Sequence, residues 1–172
     1  MSKFLSSMGD LAALLIASFS LAGSAIAADL TGKWVRDGAQ SDQVPNPMYW
    51  TTRGVDAGGR GANSTIELVI KHDGDKLQIA ETNVPLRVLT VDGRPHEMAT
   101  DTGLQRASVT AATRGEAVIV DWVQPYGGLP GNVALATHQT FQLSPDGATL
   151  VVVTTRTTPA RRESYTEVYR KQ

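Results

Sequence analysis

The chain has 172 residues, with 16 Lys and Arg against 17 Asp and Glu and a formal net charge of −1. That balance, without a basic cluster, argues against nucleic-acid binding, which needs a concentrated positive surface. There is no cysteine, which excludes disulfides, a thiolate nucleophile, a lipidated cysteine anchor and a cysteine-based metal site, so the fold must rest on its own core.

At the N-terminus, Lys3 precedes an apolar run from Leu11 to Leu21 and the small-x-small triplet Ala25-Ile26-Ala27. The run is shorter than the ~20 residues that span a bilayer, and the pattern predicts a secretory signal over 1–27. The expectation is a periplasmic or secreted protein, one domain over 28–172, with no integral membrane segment after cleavage. A buried N-terminal helix is the alternative.

The first strand signal is Leu30 to Arg36, around Gly32-Lys33-Trp34. The polar stretch from Asp37 to Asn63 follows. Connections beyond about 12–15 residues are frequently functional or disordered. Its first half carries Pro45-Asn46-Pro47-Met48-Tyr49-Trp50 and its second half is glycine-rich. From Ser64 onward the apolar period is two, the mark of half-buried strands. Ile66, Leu68 and Ile70 alternate with polar or exposed positions, His72-Asp73-Gly74-Asp75 turns the chain, and Leu77 and Ile79 continue on the return. Leu86 to Val91 is another strand, and Asp92-Gly93-Arg94-Pro95 opens a loop reaching Gly103. Further strands are expected over Leu104–Thr113, Ala117–Val123, Val133–Leu143, Leu150–Arg156 and Arg162–Arg170. The turns between them carry Gly115, the Gln124–Asn132 loop and Ser144-Pro145-Asp146-Gly147. No segment after residue 28 holds a helical period over three turns.

The expected fold is all-β: an antiparallel up-and-down barrel of about eight to nine strands. An array of that size must curl, split or close, and closure by pairing the last strand with the first removes exposed edges. A two-sheet sandwich is the alternative architecture.

The segment Leu30 to Val35 with Asp37 and Ser41-Asp42, the hairpin Ile66 to Leu77, the Val91-Asp92-Gly93-Arg94-Pro95-His96 turn, Phe141 to Leu150 and the ending Val168 to Gln172 together resemble secreted bacterial lipocalin-like (calycin-type) β-barrel proteins. The resemblance covers most of the chain after the signal and implies a fold more firmly than a function. It implies that Trp34 packs at the closed end of the barrel beneath a late-strand arginine, Arg170 or Arg162, by a cation–π contact. It also implies that the Asp37–Asn63 loop crosses the open mouth as a lid.

Such a lid places Met48, Tyr49 and Trp50 at the entrance, where aromatic side chains with one polar atom suit an amphipathic ligand; sealing the barrel top as core is the bland alternative. Gly-Gly-Arg-Gly at 58–61 lacks the Lys-Ser/Thr and the helix of a phosphate loop. His72 and His96, read in a turn and a loop, fall at one end of the barrel, while His138 falls in mid-strand; without His-x-His or His-Glu-x-x-His spacing, no metal site is expected. In Ala117–Val123, Asp121 and Trp122 face opposite ways. Either Trp122 lines the cavity with Val118 and Val120 while Asp121 is solvated, or Asp121 is a buried carboxylate and candidate base; the cost of burying a charge favours the first. His138 has the parity opposite to the heavier apolar set Val133, Leu135, Phe141 and Leu143. No Gly-x-Ser-x-Gly is present to support serine hydrolysis.

The leading expectation is an exported barrel binding a small apolar or amphipathic molecule, with Met48, Tyr49, Trp50 and Trp122 as contacts and no cofactor. The alternatives are a cofactor-independent enzyme in the same barrel (a lyase, isomerase or hydrolase moving protons through Tyr49, Asp121 and His138) or an envelope or assembly protein with a filled barrel.

Overall fold

In the computed structural model, residues 29–42, 65–82, 84–99, 106–125, 134–159 and 162–172 are described. They form ten antiparallel strands in one sheet: β1 (Gly32–Arg36), β2 (Glu67–Asp73), β3 (Lys76–Glu81), β4 (Val84–Thr90), β5 (Pro95–Ala99), β6 (Arg106–Arg114), β7 (Ala117–Pro125), β8 (Ala134–Leu143), β9 (Thr149–Thr157) and β10 (Arg162–Lys171). The spatial order is β4-β3-β2-β1-β10-β9-β8-β7-β6-β5. Every neighbour is also a chain neighbour except the β1–β10 pair, where Trp34 sits opposite Lys171 and Arg36 opposite Tyr169. The sheet therefore curls into a nearly closed barrel whose seam falls between β4 and β5. Across it β4 approaches β6.

The strand count exceeds the expected eight to nine because the stretch after Gly93 is not all loop: β5 pairs with β6 from Pro95–Thr110 to Ala99–Arg106. Its sequence hides it. Pro95 reads as a breaker, yet proline is tolerated at the start of an edge strand, and β5 alternates only between half-buried and exposed positions. His72 and His96 accordingly lie in β2 and β5 rather than in a turn and a loop.

The alternation of apolar residues places one face of every strand inside. Leu68 and Ile70 from β2, Leu77 and Ile79 from β3, Val118, Val120 and Trp122 from β7, Phe141 from β8 and Leu150 and Val152 from β9 join Trp34 and Tyr169 in a continuous core. Four tight turns, each with a left-handed glycine at Gly74, Gly93, Gly115 or Gly147, lie at one end of the barrel with the start of β1 and the end of β10. We call this the turn end. The opposite, loop end carries the other five connections, including the stretch after Asp37.

The first residues of that stretch are tied down. Asp37 N–H donates to the Val168 carbonyl at 2.7 Å and Asp42 N–H to the Thr166 carbonyl at 2.8 Å. Thr166 N–H donates to Asp42 Oδ2 and Val168 N–H to Ser41 Oγ. Asp42 thus resumes the pairing of β1 with β10 after a short excursion at Gly38 to Gln40, which is the structural use of the Ser41-Asp42 pair.

Candidate functional site

The turn end closes on Trp34, which is fully buried. Its indole Nε1–H donates to the Leu30 carbonyl at 3.0 Å. The cation over the ring is not Arg170 or Arg162 but Lys171, with Nζ 5.3 Å from the ring centroid. The register decides this: Lys171 is opposite Trp34 and shares its face, whereas Arg170 faces out and bonds to Asp37 Oδ2 and Thr149 Oγ1. Gly32 makes the packing possible, since a Cβ there would stand 3.1 Å from Lys171 Cε and 3.3 Å from Trp34 Nε1.

Toward the loop end the interior changes character. Arg36, Arg87, Thr137, Gln139, Thr154, Arg156 and Glu167 are buried polar residues on the inward face. Each arginine meets a carboxylate: Arg36 Nε lies 3.3 Å from Glu167 Oε1, Arg87 Nη2 3.2 Å from Glu81 Oε2, and Arg156 Nη2 3.2 Å from Glu163 Oε2. The three positive and three negative groups cancel formally. The Arg156 guanidinium also lies 5.3 Å from the Tyr165 ring centroid. Register assembles the girdle: Gln139 is opposite Thr154, which is opposite Tyr165, and Thr137 is opposite Arg156. Trp122 is opposite Thr137, faces in, and donates its Nε1–H to Gln124 Oε1 at 2.9 Å.

Outside the three ion pairs, one side chain of this girdle is out of balance. Gln139 Nε2 donates to Thr154 Oγ1 at 3.1 Å, but Gln139 Oε1 is buried without a hydrogen-bond partner among the described residues. Exchanging the amide oxygen and nitrogen moves the deficit to the other end of the same group. Buried polar groups are nearly always paired, and an exception in a native structure calls for an explanation. A donor on a molecule inside the barrel is one.

The sequence-derived site residues fall in three places. Trp122 lines the interior. Asp121 and His138 are brought together, with His138 Nδ1 2.7 Å from Asp121 Oδ1, but on the outer face, about half exposed. The parity of β7 and β8 puts them there, so they cannot serve as acid and base inside the barrel. Met48, Tyr49 and Trp50 lie outside the described residues. Arg36, Arg87 and Glu167 escaped the sequence reading, although each has the inward parity of its strand: Arg36 follows Trp34 by two, and Glu167 stands between Tyr165 and Tyr169.

The other histidines are apart. His96 Nε2 lies 3.0 Å from Asp92 Oδ1 at the turn end, and His72 is in β2. Among the described residues no three His, Cys, Asp or Glu gather as a metal site would require. The Arg94 backbone N–H, and next the His96 ring, hold the Asp92 carboxyl below its ordinary value. A lowered folded value adds stability that is complete above the ordinary carboxylate pKa of about 3.9 and is lost as pH falls through the lowered one. In acid titrations followed by chemical denaturation, Asp92→Asn is therefore less stable than the parent at neutral pH, and the two converge at low pH.

No family model and no curated protein matches the chain. Solved structures do. The zebrafish ileal bile acid-binding protein complexed with cholic acid superimposes with a TM-score of 0.55 at 16% identity, covering 83% of this chain and 98% of that one. An abundant heat soluble (SAHS) protein from Ramazzottius varieornatus gives 0.48 at 12% identity, over 83% and 94%. Fatty-acid-binding protein 1 of Echinococcus granulosus gives 0.48 at 11%, over 82% and 96%. The chain shares the nearly closed antiparallel barrel fold of the zebrafish protein. At these identities the likeness is one of fold, and it takes in almost the whole of the zebrafish chain.

Proposed function

We propose that this calycin-type barrel is an exported binding protein for a small amphipathic molecule held in its interior. The observation that carries the reading is the buried Gln139 Oε1 without a partner, set where an apolar floor meets a polar girdle. The floor from Trp34 through Phe141 and Leu150 suits a hydrocarbon body, and a ligand hydroxyl donating to Gln139 completes the girdle. Because the interior arginines already face carboxylates, the reading favours a head group that hydrogen-bonds without needing a net charge. The bile-acid-binding fold of the zebrafish protein supports a ligand of this class. The sequence-derived lid residues Met48, Tyr49 and Trp50 would cover the loop end, beside Trp122. Export rests on the signal pattern at 1–27.

The test is native mass spectrometry of the protein from its own host, with the bound compound extracted. The expected result is a polypeptide mass corresponding to Ala28–Gln172 together with a co-purifying amphipathic molecule. Binding of the same compound to Gln139→Leu should weaken about fivefold, the worth of one hydrogen bond of ~1 kcal/mol. Recovery of no compound, and no displacement of a fluorescent fatty-acid or sterol probe by candidate lipids, would refute the reading.

A further inference from the structure

The outer wall of the barrel holds a second constellation unrelated to the interior. Across β7, β8, β9 and β10 one outward row reads Asp121, His138, Thr155, Ser164, each residue directly opposite the next. The adjacent row reads Val123, Ala136, Thr157, Arg162. Ala136 is small between larger neighbours, and a depression of about 110 Å³ opens there, lined by Asp121, Val123, His138, Thr155, Thr157 and Arg162 among others.

The polar row is connected. The Asp121 carboxylate takes the His138 Nδ1 position at 2.7 Å, and Thr155 Oγ1 lies 3.1 Å from Ser164 Oγ. A carboxylate on Nδ1 fixes the neutral tautomer that leaves Nε2 as a base. His138 Nε2 has no partner among the described residues. The two nitrogens of an imidazole diverge widely, so a ring anchored toward β7 turns Nε2 away from β7, to the side of β8 on which β9 and Thr155 lie. Thr155 is directly opposite His138 on the same face, and such opposed residues have Cβ atoms about 4.5–5.5 Å apart. Fold energetics give little reason for the arrangement, because an exposed carboxylate–histidine pair adds almost nothing to stability.

We propose that this outer-wall row is an acyl-transfer site for small carboxylic esters, with Thr155 as nucleophile, His138 as general base and Asp121 as the residue that positions it. In the first step the Thr155 Oγ–H proton passes to His138 Nε2 as Oγ bonds to the ester carbonyl carbon. Collapse breaks the bond to the leaving oxygen, which takes the proton back from Nε2 and departs as the alcohol. Water then attacks the acyl-threonine, its proton passing through Nε2 to Oγ, and a carboxylic acid leaves. The balance is ester plus water to acid plus alcohol. Arg162, which lines the depression, is the candidate donor of guanidinium N–H groups to the carbonyl oxygen as charge develops. The depression, which Val123 and Ala136 help to line, suits a short acyl chain.

The experiment uses the full chain and p-nitrophenyl acetate, with p-nitrophenol release followed across pH and the acetylated residue located by peptide mass spectrometry. Acetyl is expected on Thr155. His138→Gln should slow release about a hundredfold, within the usual worth of a general base. Thr155→Val should abolish the adduct and Thr155→Ser restore it. Asp121→Asn should displace the pH profile as well as lower the rate, a change that a purely structural role would not produce. The His72→Gln/His96→Gln double variant should keep the full rate. An unchanged rate in a folded His138→Gln protein, or acetyl confined to lysines, overturns the proposal. Neither result bears on the interior ligand.

Discussion

Glu167→Leu is expected to lower the unfolding free energy by about 3–5 kcal/mol, the usual cost of removing one member of a buried ion pair. Its partner Arg36 is fully buried at the side chain, and Glu167 is exposed by only 5%. Taking two ions out of water is expensive, and their attraction offsets that cost only while both are present. Arg36 Nη2 also donates to the Asp42 carbonyl at 2.6 Å, so it couples the pair to the segment that fastens the start of the Asp37–Asn63 stretch onto β10. The double variant Arg36→Met/Glu167→Leu should recover most of the loss, because replacing a whole buried pair by apolar residues is frequently neutral or stabilising. Urea denaturation of the two single variants and the double variant measures the coupling. If Glu167→Leu costs less than about 1 kcal/mol, the typical limit for exposed pairs, the pair is solvated and the polar girdle is not a desolvated site.

The second large effect is at the floor. Trp34→Ala should cost about 3–5 kcal/mol, as for other large aromatic residues truncated in a core. The indole is fully buried, and its loss removes the Leu30 hydrogen bond and the surface on which the Lys171 stem lies. Trp34→Phe keeps most of the apolar volume but leaves the Leu30 carbonyl without its donor, and should cost about 1–2 kcal/mol. Lys171→Met tests the cation separately. It retains the stem and removes only the ammonium, so a loss of about 0.5–1 kcal/mol is expected. The ordering Trp34→Ala, then Trp34→Phe, then Lys171→Met, read from thermal and urea midpoints, is the diagnostic; a Lys171 effect larger than that of Trp34→Ala would contradict the packing described.

Periodicity in the sequence carries most of the architecture, because a half-buried strand must alternate and the turns must contain glycine where φ is positive. Ile66-Leu68-Ile70 and Leu135-Phe141 read directly as inward sets, whereas Val118-Val120-Trp122 is the favoured of two faces and the structure selects it. The β5 strand does not, since neither of its faces is deeply buried and a proline begins it. The candidate site was harder to read for a different reason. Alternation in a sequence marks apolar residues as inward, and the interior here also accepts Arg36, Arg87, Arg156 and Glu167 because each meets an opposite charge from another strand or its flank. The partners are not legible from a single strand: the Arg36–Glu167 pair exists only once β1 lies beside β10. The same long-range pairing decided the cation at Trp34 in favour of Lys171, which a count of late-strand arginines could not reveal. Asp121 and His138 met as candidates on chemical grounds, and strand parity then placed their meeting on the outer wall.

The junction of β1 with β10 also bears on time. The hairpins with tight turns form from residues close in sequence, but the first strand has only β2, across the long Asp37–Asn63 stretch, until the last strand is available. Bringing the chain ends together costs loop-closure entropy before it is repaid by contacts, and folds dominated by such distant pairings assemble in milliseconds to seconds rather than microseconds. The floor around Trp34 draws on both β1 and β10, so its completion is expected only once β10 is available.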